Sequence, residues 1–356
     1  MKIIFDTLNI YYLPQYLPIC DVLTKKGHKC IFVCYRSKNS EKDFSQSLNL
    51  PIKWVNDTSE ARDFYVSEKA DWIFFGNAFS HLEQIHAVSK TVQLGHGVGP
   101  KPSYYHKSRT PMTVRFIEGA MRLEKIKKLY PKDNFVQVGF SKLDPLFTGA
   151  ETGLDIAKLG LDSSKQTILY APTFNPSSLE RFPDNWPKDF QQYNILIKPH
   201  TFTYTKKYYK KQRQKLAKWD KFTNTYVAQP SDISLLPFMA SADILLSEAS
   251  STLFEFVALD KPVIVCDFYK LKWSYRGIFK YRFERRFGKD NVIYKDIGTH
   301  AQSYKALKNA IPHELKNPEL CRAQRKQYTA EHVGPTDGLT SERIVDYLEK
   351  FSDPQP

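Results

Sequence analysis

Cysteine is scarce and shows no paired pattern: Cys20, Cys30, Cys34, Cys266 and Cys321 are an odd number with no Cys-x-x-Cys spacing. That argues against a disulfide framework or a structural zinc site and fits a reducing cytoplasm. Long apolar runs are missing too, since none approaches the roughly 18 residues of a membrane span. The amino terminus, Met1 to Asp6, reads as a strand, not as a charged region followed by a secretory apolar stretch. Any membrane contact is therefore expected from the surface. No internal repeat is present, and the only biased tracts are charge runs.

What is present is a chain of 356 residues, 42% hydrophobic and 25% charged, enough for one large core or, more typically, two domains. The net charge of +14 predicts an anionic partner: a nucleotide, a phosphorylated polymer, nucleic acid or an acidic membrane face. Nucleic acid is the least expected of these, because no DNA- or RNA-binding motif accompanies the charge.

Short apolar runs alternate with helical patterns. Lys2 to Phe5, Lys29 to Cys34, Asp71 to Phe75, Thr91 to Leu94 and Phe135 to Val138 form one series. Thr167 to Tyr170, Asn194 to Ile197, Thr225 to Val227, Ile244 to Leu246 and Val263 to Val265 form a second. Such alternation predicts parallel sheets with helices on both faces. The small, polar stretch Thr148 to Gly153 separates the series as a linker. The expected fold class is α/β, two Rossmann-like domains facing across a cleft. Residues 1–150 would form the first of these domains and 151–335 the second. A carboxy-terminal helix and tail, 336–356, would pack back on the first.

Ligands of parallel α/β sheets sit at the carboxyl ends of strands, so the residues following each run carry the functional signal. Gly95-His96-Gly97-Val98-Gly99-Pro100-Lys101 presents a histidine between glycines, which pack poorly and let backbone approach a ligand. A core role for His96 is the weaker reading. Ala171-Pro172-Thr173-Phe174 and Lys198-Pro199-His200-Thr201 follow two strands of the second series. His200 is read equally well as a ligand contact or as a cap on backbone groups. The fourth edge, Ser247-Glu248-Ala249-Ser250-Ser251-Thr252, opens an amphipathic helix. Its N–H groups and hydroxyls suit a phosphate, although Ser and Thr also cap many helices that bind nothing.

Taken in order, these segments resemble the CDP-glycerol glycerophosphotransferase family, the teichoic-acid primases and polymerases of GT-B fold. The match runs through His96, Gly97 and Lys101, the Val138 to Asp144 run, Tyr170 to Thr173, Ile197 to His200, the Ser247 to Phe256 turn and helix, and Asp337-Gly338. The chain departs from the family pattern at Gly95 and Val98 around the histidine, at Glu248-Ala249 before the paired serines, and at Thr201 after His200. These changed positions are expected to line the donor or acceptor pocket.

The resemblance implies transfer of a phosphoglycerol or related polyol-phosphate unit from a CDP-linked donor to an acceptor hydroxyl, with CMP leaving. The expected acceptor is an anionic or lipid-linked cell-surface glycan, with residues 1–150 as the acceptor domain and 151–335 as the nucleotide-donor domain. His96 would be the general base, since an imidazole pKa of about 6.5 lies near working pH. His200 would contact the pyrophosphate from one side, with Lys198 near it, and Ser250, Ser251 and Thr252 from the other. Thr173 and Glu255 would bind the nucleoside, and Gly97 and Lys101 would position the acceptor. With no Asp-x-Asp at a strand end, helix dipole and basic residues substitute for a divalent ion, and neither metal nor cofactor is expected. A nucleotide-sugar glycosyltransferase or epimerase is the alternative on the same fold.

Two basic regions remain. The run from Lys206 to Lys221 predicts a helix with cations around most of its circumference, more often solvated surface than a site. Tyr269 to Lys289 interleaves aromatic and cationic residues, a composition suited to an anionic bilayer or glycan.

Overall fold

The computed structural model describes residues 1–36, 50–248, 250–269, 271, 275, 277–279, 281–282 and 296–352. Most of the aromatic and basic stretch from Tyr269 to Lys289 lies outside the described residues, and so does Ala249. The membrane contact expected of that stretch therefore has no structural account.

The chain divides into two compact units. The first comprises Met1–Val98, Ser103–Thr148 and Ala330–Pro356, and the second Gly99–Pro102 and Gly149–Thr329. The chain thus returns to the first unit at Ala330, not at 336, and Lys101, grouped in the sequence with Gly97, belongs to the second.

In the first unit, β1 (Lys2–Thr7), β2 (Lys29–Tyr35), β3 (Ile52–Val55), β4 (Trp72–Phe75), β5 (Lys90–Leu94), β6 (Val114–Ile117) and β7 (Phe135–Gln137) form a sheet. Its order is β3-β2-β1-β4-β5-β6-β7, and every pairing is parallel. Burial on both faces explains the nearly continuous apolar runs of β1 and β4. Helix Thr340–Ser352 docks on this unit, where Ile344, Val345 and Leu348 join Leu13, Tyr16, Ile19 and Leu23 in one core. Its first turn is capped by Asp144, which accepts from Thr340 N at 3.3 Å and Ser341 N at 2.7 Å. Near its end, Glu349 accepts from Lys26 Nζ at 2.8 Å.

In the second unit, β8 (Thr167–Tyr170), β9 (Asn194–Ile197), β10 (Thr225–Val227), β11 (Ile244–Ser247), β12 (Val263–Cys266) and β13 (Thr299–Ala301) follow the order β10-β9-β8-β11-β12-β13, again all parallel. Trp186 and Trp219 fill its core beside Tyr170 and Phe182. Strand order reverses between β1 and β4 in one sheet and between β8 and β11 in the other. Chain leaving the carboxyl ends of neighbouring strands diverges at such points, and the crevice left is where open α/β sheets bind ligands.

Candidate active site

In the first unit, His96 stands just past β5, beside Gly76 at the end of β4. Its Nδ1 donates to the Gly76 carbonyl at 3.0 Å, which fixes the proton on Nδ1 and the basic lone pair on Nε2. Rings of Tyr11, Tyr12 and Tyr104 surround the imidazole at 5.9, 5.4 and 5.5 Å. A pocket of about 220 Å³ opens here, with Asn77, Gln93, His106 and Arg115 among its walls.

The loop that carries His96 rests on a buried ion pair. Glu118 precedes helix Ala120–Leu129 and Arg122 lies in its first turn; both side chains are 3% exposed, and Arg122 Nη1 lies 2.6 Å from Glu118 Oε2. Arg122 Nη2 also donates to the Gly97 carbonyl at 2.9 Å, and its guanidinium sits 4.7 Å from the centre of the Tyr104 ring. A Cβ at position 95 would come within 2.8 Å of Glu118 Oε1, so glycine there makes room for the protein's own carboxylate. The freedom expected to serve a ligand thus serves the protein's own packing. Burial pushes the Glu118 carboxyl above its ordinary range, against the pull of Arg122. Gly119 takes part as well: a side chain there would collide with the backbone of Glu331 and His332, where the returning tail packs.

In the second unit, His200 ends the loop after β9 and caps helix Thr201–Thr205 by accepting from Phe202 N at 3.1 Å through Nδ1. That bond places the proton on Nε2, the reverse of His96. Burial pushes the imidazole down to about 4, with the charges of Lys101 and Lys198 adding to the effect, so His200 is neutral at working pH and remains a hydrogen-bond donor. Phe174 and Phe202 pack on it at 4.7 and 4.9 Å. Lys198 is half-buried, its ammonium 6.0 Å from the Phe238 ring.

The serine turn forms the N-cap of helix Ser251–Val257: Ser250 Oγ accepts from Thr252 N at 3.3 Å and lies 3.3 Å from Thr252 Oγ1. Ser251 and Thr252 are half-buried. The helix has seven residues, so its hydroxyls weigh more than its dipole. Glu255, expected to bind the nucleoside, is 2% exposed. Thr173 donates its hydroxyl to the Pro176 carbonyl and its N–H to Glu248 Oε2, the latter at 2.7 Å, so neither donor is offered to a nucleoside.

Glu248, expected to line a pocket, is instead fully buried and joins the two loops of the switch point. Besides Thr173 N it accepts from Ser178 N at 2.6 Å and Ser178 Oγ at 2.5 Å, while Ser247 Oγ donates to the Ala171 carbonyl at 2.7 Å. Burial raises the Glu248 carboxyl to about 7, even though three donors favour its ionised form. Glu248→Gln turns an amide NH2 toward one of these N–H groups and leaves a buried donor unmet. The expected loss is about 1–3 kcal/mol of stability, read by denaturant unfolding. Wild-type stability in the variant would show that the carboxylate is no brace.

Sequence reasoning singled out both histidines and the serines as candidates but passed over Glu118, Arg122 and the bracing contacts of Glu248. Glu118 and Arg122 have only an i,i+4 spacing to mark them, common on any helix. Glu248 stood out solely as a departure from pattern.

Among curated proteins, the teichoic acid glycerol-phosphate primase of Bacillus subtilis (strain 168) is 28% identical over 222 residues, 62% of this chain and 52% of that protein. The enzyme of the same name from Bacillus spizizenii is 29% identical over 139 residues, 37% of this chain and 33% of its own length. The matched part therefore spans between a third and about half of those relatives. Among solved structures, the wall teichoic acid polymerase TagF superposes with a TM-score of 0.70 at 18% identity, covering 98% of this chain and 88% of that one. S. aureus MnaA, solved with UDP, gives 0.64 at 13% identity, covering 98% and 96%. The fold is thus α/β of GT-B type. The profile described as CDP-Glycerol:Poly(glycerophosphate) glycerophosphotransferase matches residues 121–350, which include the whole second sheet and well over half of the sequence, and the chain therefore belongs to that family.

Proposed function

We propose that the protein moves a glycerol-phosphate or related polyol-phosphate unit from a CDP-linked donor to a hydroxyl of a cell-surface glycan or lipid-linked acceptor at the cytoplasmic face, releasing CMP. The observation that carries this reading is the opposite tautomers of the two strand-end histidines. His96, with Nδ1–H tied to Gly76, offers a lone pair to an acceptor O–H; His200, with Nδ1 tied to Phe202, offers an N–H to a phosphate oxygen. In the reaction the acceptor oxygen forms a bond to the phosphorus of the transferred unit while its proton passes to His96 Nε2. The bond from that phosphorus to the bridging oxygen breaks, and CMP leaves with the electron pair. Phosphoryl transfer needs positioning and hydrogen bonds to the spreading charge more than covalent help. His200 and the hydroxyls of Ser250 and Ser251 supply them. A solved TagF structure, a histidine variant soaked with CDPG, supports a CDP-linked donor.

His200→Ala, or Ser250→Ala with Ser251→Ala, is expected to weaken binding of CDP-glycerol more than binding of cytidine. Each removes a phosphate contact, and hydrogen bonds to a charged group are worth about 1.5–3 kcal/mol. Calorimetric titration of both ligands tests this, and equal losses would move the phosphate site elsewhere. A thermal-shift series of CDP-glycerol, CDP-ribitol, CMP, UDP and UDP-sugars tests the donor class, because a ligand bound only by the folded state raises its melting temperature. Stabilisation by UDP-sugars alone would favour the nucleotide-sugar alternative.

A further inference from the structure

The run of cations from Lys206 to Lys221 is divided by the fold into committed and uncommitted charges. Arg213 donates to the carbonyls of Thr203 at 2.8 Å and Lys206 at 2.9 Å, and so fastens one helix to the next. Lys218 pairs with Asp184 at 2.5 Å, Lys215 lies 3.8 Å from the same carboxylate, and Lys206 sits over the Phe202 ring at 5.2 Å. Lys210 and Lys211 are exposed and meet no carboxylate among the described residues.

Both of these lysines line a cavity of about 440 Å³ formed with Phe174, Asn175, Tyr208 and Gln212. Asn175 is only 6% exposed, yet its Nδ2 meets no acceptor among the described residues. A buried amide donor left without a partner costs stability, and a ligand oxygen would relieve that cost. Glu180, the acid of the wall, is exposed and accepts from Gln212 Nε2 at 3.2 Å, and the two lysines outnumber its single charge. Tyr208 is 72% exposed, so the cavity opens to solvent and admits a ligand longer than itself. The Phe174 ring that lines it is the one packed 4.7 Å from His200.

We propose that this cavity is a second phosphate subsite, separate from the serine turn, that holds a phosphodiester-linked polyol. Lys210 and Lys211 meet the phosphate oxygens, and the Asn175 amide meets a phosphate or hydroxyl oxygen. The polyol body lies along Phe174 and Tyr208. The choice of polyol rests on the function proposed above, whereas the anion site rests on the cavity itself.

The test is calorimetric titration with glycerophosphoglycerol, inorganic phosphate, CMP and CDP-glycerol in 150 mM salt. Lys210→Ala with Lys211→Ala alters only exposed side chains and is expected to weaken glycerophosphoglycerol roughly tenfold, about one charge-assisted contact. Affinity for CDP-glycerol stays unchanged, and His200→Ala shows the opposite pattern. Asn175→Ala, checked for a wild-type melting temperature, weakens the same ligand. The proposal is overturned if wild type does not bind glycerophosphoglycerol or if the double lysine variant binds it as tightly as wild type does. It is also overturned if inorganic phosphate or CMP competes equally well, or if affinity for CDP-glycerol falls in parallel. Failure of CDP-glycerol to bind wild type would instead sink the transferase reading and leave the diester measurement standing.

Discussion

Replacing His96 by alanine is expected to lower turnover by about 10² or more, the usual loss on removing a general base, with donor binding largely intact. The two effects separate because the imidazole and the donor contacts belong to different sheets. His96 follows β5 of the first, while His200 and the serine turn follow β9 and β11 of the second. His96→Asn sharpens the test. An asparagine amide can still donate to the Gly76 carbonyl, so the loop stays anchored, but it cannot take up a proton. If the histidine only anchors the loop, the asparagine variant keeps its activity; if it is the base, both variants fail alike. Turnover measured at saturating acceptor, with calorimetric titration of the donor beside it, decides the matter. Near-wild-type turnover in the alanine variant would sink the assignment.

The parts of the fold that were legible are those buried on both sides. β1, β4, β8, β9, β11 and β12 read as short apolar runs because neither face meets water. β6 escaped notice because Arg115 interrupts Val114-Arg115-Phe116-Ile117. That arginine is 6% exposed and donates to the carbonyls of Tyr104 and, at 3.0 Å, His106, so a buried charge occupies a strand that reads as polar. β3 and β13 are edge strands, Ile-Lys-Trp-Val and Thr-His-Ala, only four and three residues long and partly exposed, too short for a pattern to stand out.

At the site the same division holds. Histidines placed just past apolar runs stood out, because ligands of parallel α/β sheets sit at the carboxyl ends of strands. Their supports did not, because the contacts that tie Arg122 to Gly97 and Glu248 to Thr173 and Ser178 are made by the fold and not by nearness in sequence. Two of the segments that carried the family resemblance prove to be one structural joint. Asp144 caps the helix that begins at Thr340, and Arg343 on that helix donates to the Val138 carbonyl at 2.7 Å and to Asp337 at 2.8 Å. The Val138 to Asp144 run and Asp337 thus meet where the returning tail is held.

Removing Arg122 is expected to produce the largest loss of stability. Arg122→Ala leaves Glu118, 2% exposed, without the cation beside it, and breaking a buried pair from one side costs about 3–5 kcal/mol. Arg122 is also a positioning residue for His96, since its guanidinium holds the Gly97 carbonyl and covers Tyr104. Stability and positioning can be told apart. Glu118→Leu with Arg122→Met replaces both charges by apolar side chains of similar volume, and such replacement of a buried pair is often neutral or stabilising. That double variant should regain much of the stability lost by Arg122→Ala but not the turnover number, because nothing then ties Gly97. Arg122→Lys keeps the charge but not the fork that reaches a carboxylate and a carbonyl at once, and it should rescue unfolding free energy more than turnover. KM for the donor should change little throughout. Denaturant unfolding and steady-state kinetics on the four proteins, wild type among them, give the answer. If turnover returns together with stability in the double variant, the pair is only a brace. If Arg122→Ala unfolds like wild type, the pair does not hold the loop at all.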